Sequence, residues 1–218
     1  MSAKCTLPIH FHGPMMSFGT EDAREGNRQT DRMPRKSAVV GILAAALGRS
    51  RDEDITDLAD LLFGTIAINP GNMEKDFHRV DYKEGSKEKT IIGQRGYITD
   101  ADFIACVEGE REFIEELHEA LLYPRWPLYM GRSSCPAPPD FAMDIVDKPL
   151  RETLLSFVPE NGANIRIETR GEGGNLILND RPISFKQGMK KFGSTVYTEE
   201  FVKSEKSSDE ETDFFAFV

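Results

Sequence analysis

Apolar and polar residues alternate from Leu7 to His12, placing Leu7, Ile9 and Phe11 on one face and Pro8, His10 and His12 on the other. That period of two predicts a half-buried first strand, which Gly13-Pro14 should stop. A polar, basic loop follows from Thr20 to Lys36, longer than a routine connection and therefore a candidate functional segment. Ser37 is the expected cap of a helix over Ala38–Leu47, which should end at Gly48. Val39, Val40, Ile42, Leu43 and Leu47 make that helix apolar nearly all round, so it belongs in the interior.

Ile55, Leu58, Leu61 and Leu62 recur at helical spacing, predicting a short helix over Asp54–Leu62. Phe63–Asn69 reads as a strand closed by Pro70-Gly71. Residues 72–97 read as a protruding β-hairpin, with strands around Phe77–Tyr82 and Lys89–Ile92 and a turn near Glu84-Gly85-Ser86. Ala101–Val107 predicts a strand, Glu110–Leu122 an amphipathic helix, and Tyr123–Met130 a closing strand. Setting the short helix and hairpin aside as insertions leaves βαββαβ, an α+β, ferredoxin-like plan over residues 1–136. After the linker Ala137-Pro138-Pro139, short strands at Leu154–Val158, Asn164–Glu168, Leu176–Leu178 and Ile183–Phe185 predict a small β-rich extension over 137–202. Residues 203–218 are acidic and Ser-rich, an expected disordered tail ending in the apolar run Phe214–Val218.

The 218 residues suffice for one large domain or a core with an appendage, and 39% hydrophobic with 29% charged residues is ordinary for a soluble protein. The longest apolar run, Ala38–Leu47, is half of what a membrane-spanning helix needs, and Met1–Cys5 shows no secretory pattern. Cys5, Cys106 and Cys135 are scattered, which argues against a disulfide scaffold and suits a reducing, cytoplasmic setting.

The net charge of −10 would ordinarily speak against a nucleic-acid partner, but it is localised. Residues 108–119 carry six acids and one base, and residues 199–213 carry seven acids and two bases. The remainder is neutral overall and holds basic stretches: five bases against two acids in Arg24–Lys36, and four bases with no acid in Arg181–Lys191. A polyanion senses charge within roughly 8 Å at physiological salt, so such patches matter more than the total.

Other candidate chemistry is thinner. His10 and His12 share a strand face, but two histidines without a third ligand make a weak metal pair, and no metal is expected. Cys135 has no nearby His or Asn in sequence to activate it. Gly171-Glu172-Gly173-Gly174 lacks the Lys-Ser/Thr of a phosphate loop and reads as a turn. Trp126 and Tyr129 are expected to pack within the closing strand, and Arg125 reads equally as a surface or a helix-capping cation.

Three blocks carry a resemblance. They are Gly13-Pro14-Met15-Met16-Ser17-Phe18-Gly19, Arg32-Met33-Pro34-Arg35-Lys36-Ser37-Ala38-Val39-Val40-Gly41, and Pro124-Arg125-Trp126-Pro127-Leu128-Tyr129-Met130-Gly131-Arg132-Ser133-Ser134-Cys135-Pro136. In these the chain resembles the CasD family, the fifth-family Cas subunits of type I-E CRISPR Cascade, within the RAMP superfamily. The likeness runs in order over about 190 residues. It implies an RNA-recognition-like fold whose hairpin is a thumb, and a non-catalytic, cofactor-free subunit that caps the 5′ handle of a CRISPR RNA. Implied partners are that RNA, a CasC-type backbone subunit, a CasA-type large subunit and, indirectly, target DNA.

The implied contacts are Met15, Met16 and Phe18 toward bases, and Arg28, Arg32, Arg35, Lys36 and Ser37 toward phosphates at the helix start. His78, Arg95 and Tyr97 would contribute from the hairpin, and Arg132, Ser133 and Ser134 from the loop after Gly131. The chain departs from the family pattern in having Phe18 where a Trp is usual, and Ser133 where a second arginine is usual. The alternative is a metal-independent endoribonuclease of CRISPR precursor RNA, using His78, Lys83 and Tyr97 as acid, base and cation.

Overall fold

The structure is a computed structural model that describes residues 4–20, 27–85, 87–171 and 173–204. The tail expected to be disordered, from 205 onward, lies outside the described residues, as do Arg24, Ser86 and Glu172.

Alternation dictates the first strand, β1 (Lys4–Met16), whose Leu7, Ile9 and Phe11 are fully buried. It does not stop at Gly13-Pro14. Gly13 pairs with Ala101, the ladder passes over Pro14, which has no N–H to give, and pairing resumes at Met15 with Thr99. Asp100, facing that gap, adopts φ 54, so the irregularity is shared by both strands. After the two-residue β2 (Asn27–Arg28) comes α1 (Lys36–Leu47), ended as expected by Gly48 at φ 77, whose N–H bonds Ala45 O.

The start of α1 differs from expectation. Ser37 makes no cap; Arg35 is the extended N-cap residue, and the free N–H of Lys36 is taken by the Asp180 carboxylate at 3.1 Å. A carboxylate contributed by a distant strand thus occupies the anion position that sequence assigned to a phosphate.

The predicted second helix shortens to α2 (Thr56–Ala59), because Leu62 is recruited into the next strand, β3 (Leu62–Asn69). The hairpin forms from β4 (Asn72–Glu84) and the first half of the 24-residue β5 (Lys87–Glu110). The second half of β5 runs between β1 and β3, so the hairpin grows directly out of the central strand. Helix α3 (Arg111–Leu122) buries Ile114, Leu117 and Leu121.

The closing strand predicted over Tyr123–Met130 does not form. Pro124 and Pro127 remove ladder donors, and the segment lies instead along the end of α1, with Arg125 N donating to Ala46 O. The edge of β1 is met instead by residues 141–146, through bridges Ile9–Ala142 and Thr6–Val146.

Leu154–Val158, expected as a strand, is mostly helix: α4 (Leu150–Leu155) buries Leu150, Thr153 and Leu154 at i, i+3, i+4. Next come β6 (Ala163–Glu168), β7 (Leu176–Ser184) and β8 (Lys191–Val202), the last absent from the sequence reading. β6 pairs with β3, giving one sheet in the order β1-β5-β3-β6-β8-β7. The protein is therefore α+β with a mostly antiparallel sheet; β2 against β5 is a parallel pair.

One sheet face holds the larger core, where Leu7, Ile9, Phe11 and Phe103 meet Val39, Val40 and Leu43 of α1 and Ile114 and Leu117 of α3. The other joins Ile66, Ile104 and Ile165 to Leu150 and Leu154 of α4. Each such side chain contributes about 1.5–3 kcal/mol on burial. Among the described residues, no helix is long and apolar enough to cross a membrane.

Candidate nucleic-acid interface

Register gathers part of the predicted site at the root of the hairpin. Arg28 on β2 lies opposite Arg95 on β5, and Arg95 lies opposite Asp76 on β4. Tyr97 faces Glu74, and His78 faces Gly93, so these side chains share one face.

A loop after Met130 closes over this root. Gly131, at φ 94, brings the chain against β1, and Ser17 N donates to Met130 O at 3.1 Å. Arg132 then lies over the Tyr97 ring, 4.6 Å from its centroid, and donates through Nη2 to Arg28 O at 3.2 Å. Arg132 Nη1 is buried without a hydrogen-bond partner among the described residues, an unsatisfied donor beside the Tyr97 ring. Burial raises the Tyr97 phenol pKa, but hydrogen bonds with Ser134 and Arg132, and the Arg132 charge, outweigh it and hold the group below its ordinary value. Ser133 and Ser134 are exposed. Register and loop thus bring Arg28, Arg95, Tyr97 and the Arg132–Ser134 stretch to the root of the hairpin, with Arg132 and Ser134 against the Tyr97 side chain.

Other predicted residues do not join them. Met16 and Phe18 are fully buried; Phe18 packs edge-on against Phe11 and Phe103, with centroids 5.7 and 6.2 Å away. Neither presents a face to a base, and the apolar character that suggested stacking serves the core. Met15 is half-buried and Arg32 exposed, so both stay available. Ser37 is half-buried in the first turn of α1.

Arg35 and Lys36 are buried in ion pairs, Arg35 Nε with Asp31 at 2.7 Å and Lys36 Nζ with Glu168 at 2.7 Å. Their charges are thus answered by carboxylates inside the fold and are not exposed at the surface as the sequence reading expects of phosphate contacts.

Asp31 also pairs with Arg166 at 3.4 Å, and Arg166 with Glu199 at 2.7 Å. Burial pushes the Asp31 carboxyl up, but the Arg166 charge and the Arg35 hydrogen bond prevail and hold it below the ordinary range. A depressed folded pKa gives stability that is complete above the unfolded value, about 4, and is lost as pH falls through the folded one. Thermal melts from pH 6 to pH 2 should show this loss, and Asp31→Asn should start less stable with a flatter acid limb. An unchanged acid limb in Asp31→Asn would remove Asp31 from the account.

The sequence reading also missed two aromatics. Trp126 and Tyr129 are 45% and 38% exposed, not packed in a strand. They line a groove of about 420 Å³ with Ser37, Gly41, Arg49, Arg51, Gly131 and Lys190. The signal was present in the prolines at 124 and 127, which exclude a central strand and leave flat side chains on the surface. All three cysteines are free and buried, and burial pushes the Cys106 and Cys135 thiols up, away from nucleophilic character.

The fold and this surface can be set beside known proteins. The sequence model of the CRISPR-associated Cas5 family matches residues 6–196. The chain belongs to the Cas5 family. Its curated relatives include the CRISPR system Cascade subunit CasD of Escherichia coli (strain K12), 29% identical over 177 residues, spanning 72% of this chain and 78% of that one. A solved structure described as a Cas protein is 35% identical, covers 92% of this Cas5 chain and 96% of its own, and superposes with a TM-score of 0.70. A chain of a CRISPR RNA-guided surveillance complex has the same fold, with a TM-score of 0.76 at 22% identity and 90% coverage of both chains.

Proposed function

We propose that this Cas5 protein is the subunit of a type I-E Cascade complex that grips the 5′ handle of the CRISPR RNA without cleaving it. In that role it would join a CasC-type backbone subunit and a CasA-type large subunit, and serve DNA targeting indirectly. The curated relative named a Cascade subunit supports the assembly, and the hairpin root carries the RNA reading. The key observation is the Arg132 guanidinium held on Tyr97 and bonded to Arg28 O, with its Nη1 buried and without a hydrogen-bond partner among the described residues. Single-stranded RNA is bound by cations on phosphates, hydroxyl donors and flat side chains under bases; Arg28, Arg95 and Arg132, Ser133 and Ser134, and Trp126 and Tyr129 supply these.

On this reading the β4–β5 hairpin is the thumb. The order β1, α1, β3, β5, α3 is a RAMP core, with residues 141–146 standing in for its fourth strand. The nuclease alternative needs His78, Lys83 and Tyr97 around one phosphate. Along β4, His78 is four residues and Lys83 nine residues from Glu74, the partner of Tyr97, so about 13 and about 30 Å away. That spread supports a clamp over a catalyst.

Anisotropy with a repeat-derived RNA at rising salt tests the proposal. Binding should weaken with salt, and Arg95→Ala and Arg132→Ala should each flatten the log–log slope by about 0.7. Salt-independent or absent binding refutes the clamp. Specific cleavage of the same RNA in EDTA, lost in His78→Ala, would favour the nuclease.

A further inference from the structure

His10 and His12 project from the same face of β1, and their rings lie 4.2 Å apart, centre to centre, at 35°. The third ligand missing from the sequence arrives from 128 residues away. The segment bridging the edge of β1 is fixed by His10 N donating to Phe141 O at 2.9 Å, and it sets Asp140 Oδ1 2.8 Å from His12 Nε2. One ring nitrogen of each histidine and a carboxylate oxygen of Asp140 all fall within 4.8 Å of one another. On the other side, Asp102 of β5 lies 2.8 Å from His10 Nε2 through Oδ1.

We propose that His10, His12 and Asp140 bind one divalent transition-metal ion of the zinc class, with Asp102 orienting the His10 ring. Two imidazoles and a carboxylate are the donors such ions take, at about 2.0–2.2 Å. Tetrahedral ligation would draw the three donors to about 3.4 Å apart, a small closure for these side chains. His12 and Asp140 are 33% and 67% exposed, so both can turn toward the ion. Charge agrees, since two carboxylates and two neutral imidazoles sum to the opposite of a dication. A carboxylate behind a ligating histidine is the usual outer support of such a centre. The bound ion would clasp the 140–146 segment onto β1 and cover an otherwise open sheet edge.

The test uses the untagged full chain, stripped with EDTA and titrated with Zn2+ by calorimetry, with Co2+ absorption in the visible as a second readout. One saturable equivalent and a raised melting temperature are expected. His12→Ala and Asp140→Ala should each weaken binding at least about tenfold and abolish the thermal shift, while His118→Ala on α3 changes neither. Because Asp140 is largely exposed, its variant should melt like the stripped parent, which separates ligation from folding. Non-saturable binding, or full binding retained in Asp140→Ala and His12→Ala, overturns the site.

Discussion

Gly131→Ala is expected to cost about 3 kcal/mol or more of stability, and to weaken RNA binding beyond what that loss explains. Gly131 sits at φ 94, where an L side chain is strained. An added Cβ would also fall 1.6 Å from Ser17 O. That atom cannot retreat: Ser17 is buried, its N–H is bonded to Met130 O, and its hydroxyl donates to Gly96 O at 3.0 Å. Either the loop lifts, taking Arg132 off Tyr97, or the end of β1 leaves β5. Gly188→Ala is the control, since φ is 77 there but an added Cβ meets nothing within 4 Å. It should cost about 1–2 kcal/mol and leave RNA binding intact. Equal melting temperatures for the two variants would show that the loop is not pinned as described.

What the sequence disclosed was local. Gly48 ends α1, the apolar stripe of α3 faces the core, and the hairpin turns where Gly85 stands, because each depends on neighbours a few residues away. The three motif blocks led to the Cas5 family, which the match over residues 6–196 bears out. What it concealed depended on distant partners. Nothing near Phe18 reveals that Phe11 and Phe103 enclose it, and nothing near His12 announces Asp140. β8 is hidden because Glu199 and Glu200 open the acidic run 199–213 and give no apolar alternation there, although Glu199 answers the buried Arg166. Of the candidate site, Arg28, Arg95, Arg132, Ser133 and Ser134 lie exposed or half-buried, and charge alone could not separate the three arginines from the buried Arg35 and Lys36.

That separation makes the sharpest contrast in the protein. Glu168→Ala should cost about 3–5 kcal/mol, because it strands the Lys36 ammonium in the interior. Lys36 is 2% exposed, its Nζ is 2.7 Å from Glu168 Oε2, and the same oxygen accepts from Phe63 N at 3.1 Å. Burial already lowers the Lys36 pKa, only partly offset by the Glu168 charge. Without Glu168 the folded pKa falls further, so the unfolded chain holds more protons than the folded one. The variant should then regain stability as pH rises toward about 10. Lys36→Met also destabilises, by leaving Glu168 unpaired, and the double variant Lys36→Met/Glu168→Gln should recover most of the loss, since glutamine can still accept from Phe63 N. On the proposed RNA role, the salt slope of binding should hold constant through all of this at temperatures where the variants are folded, because Lys36 is buried against Glu168. A flattened slope in Lys36→Met with an unchanged melting temperature would return this lysine to the RNA surface, and would mean that the start of α1 faces the guide instead of the core.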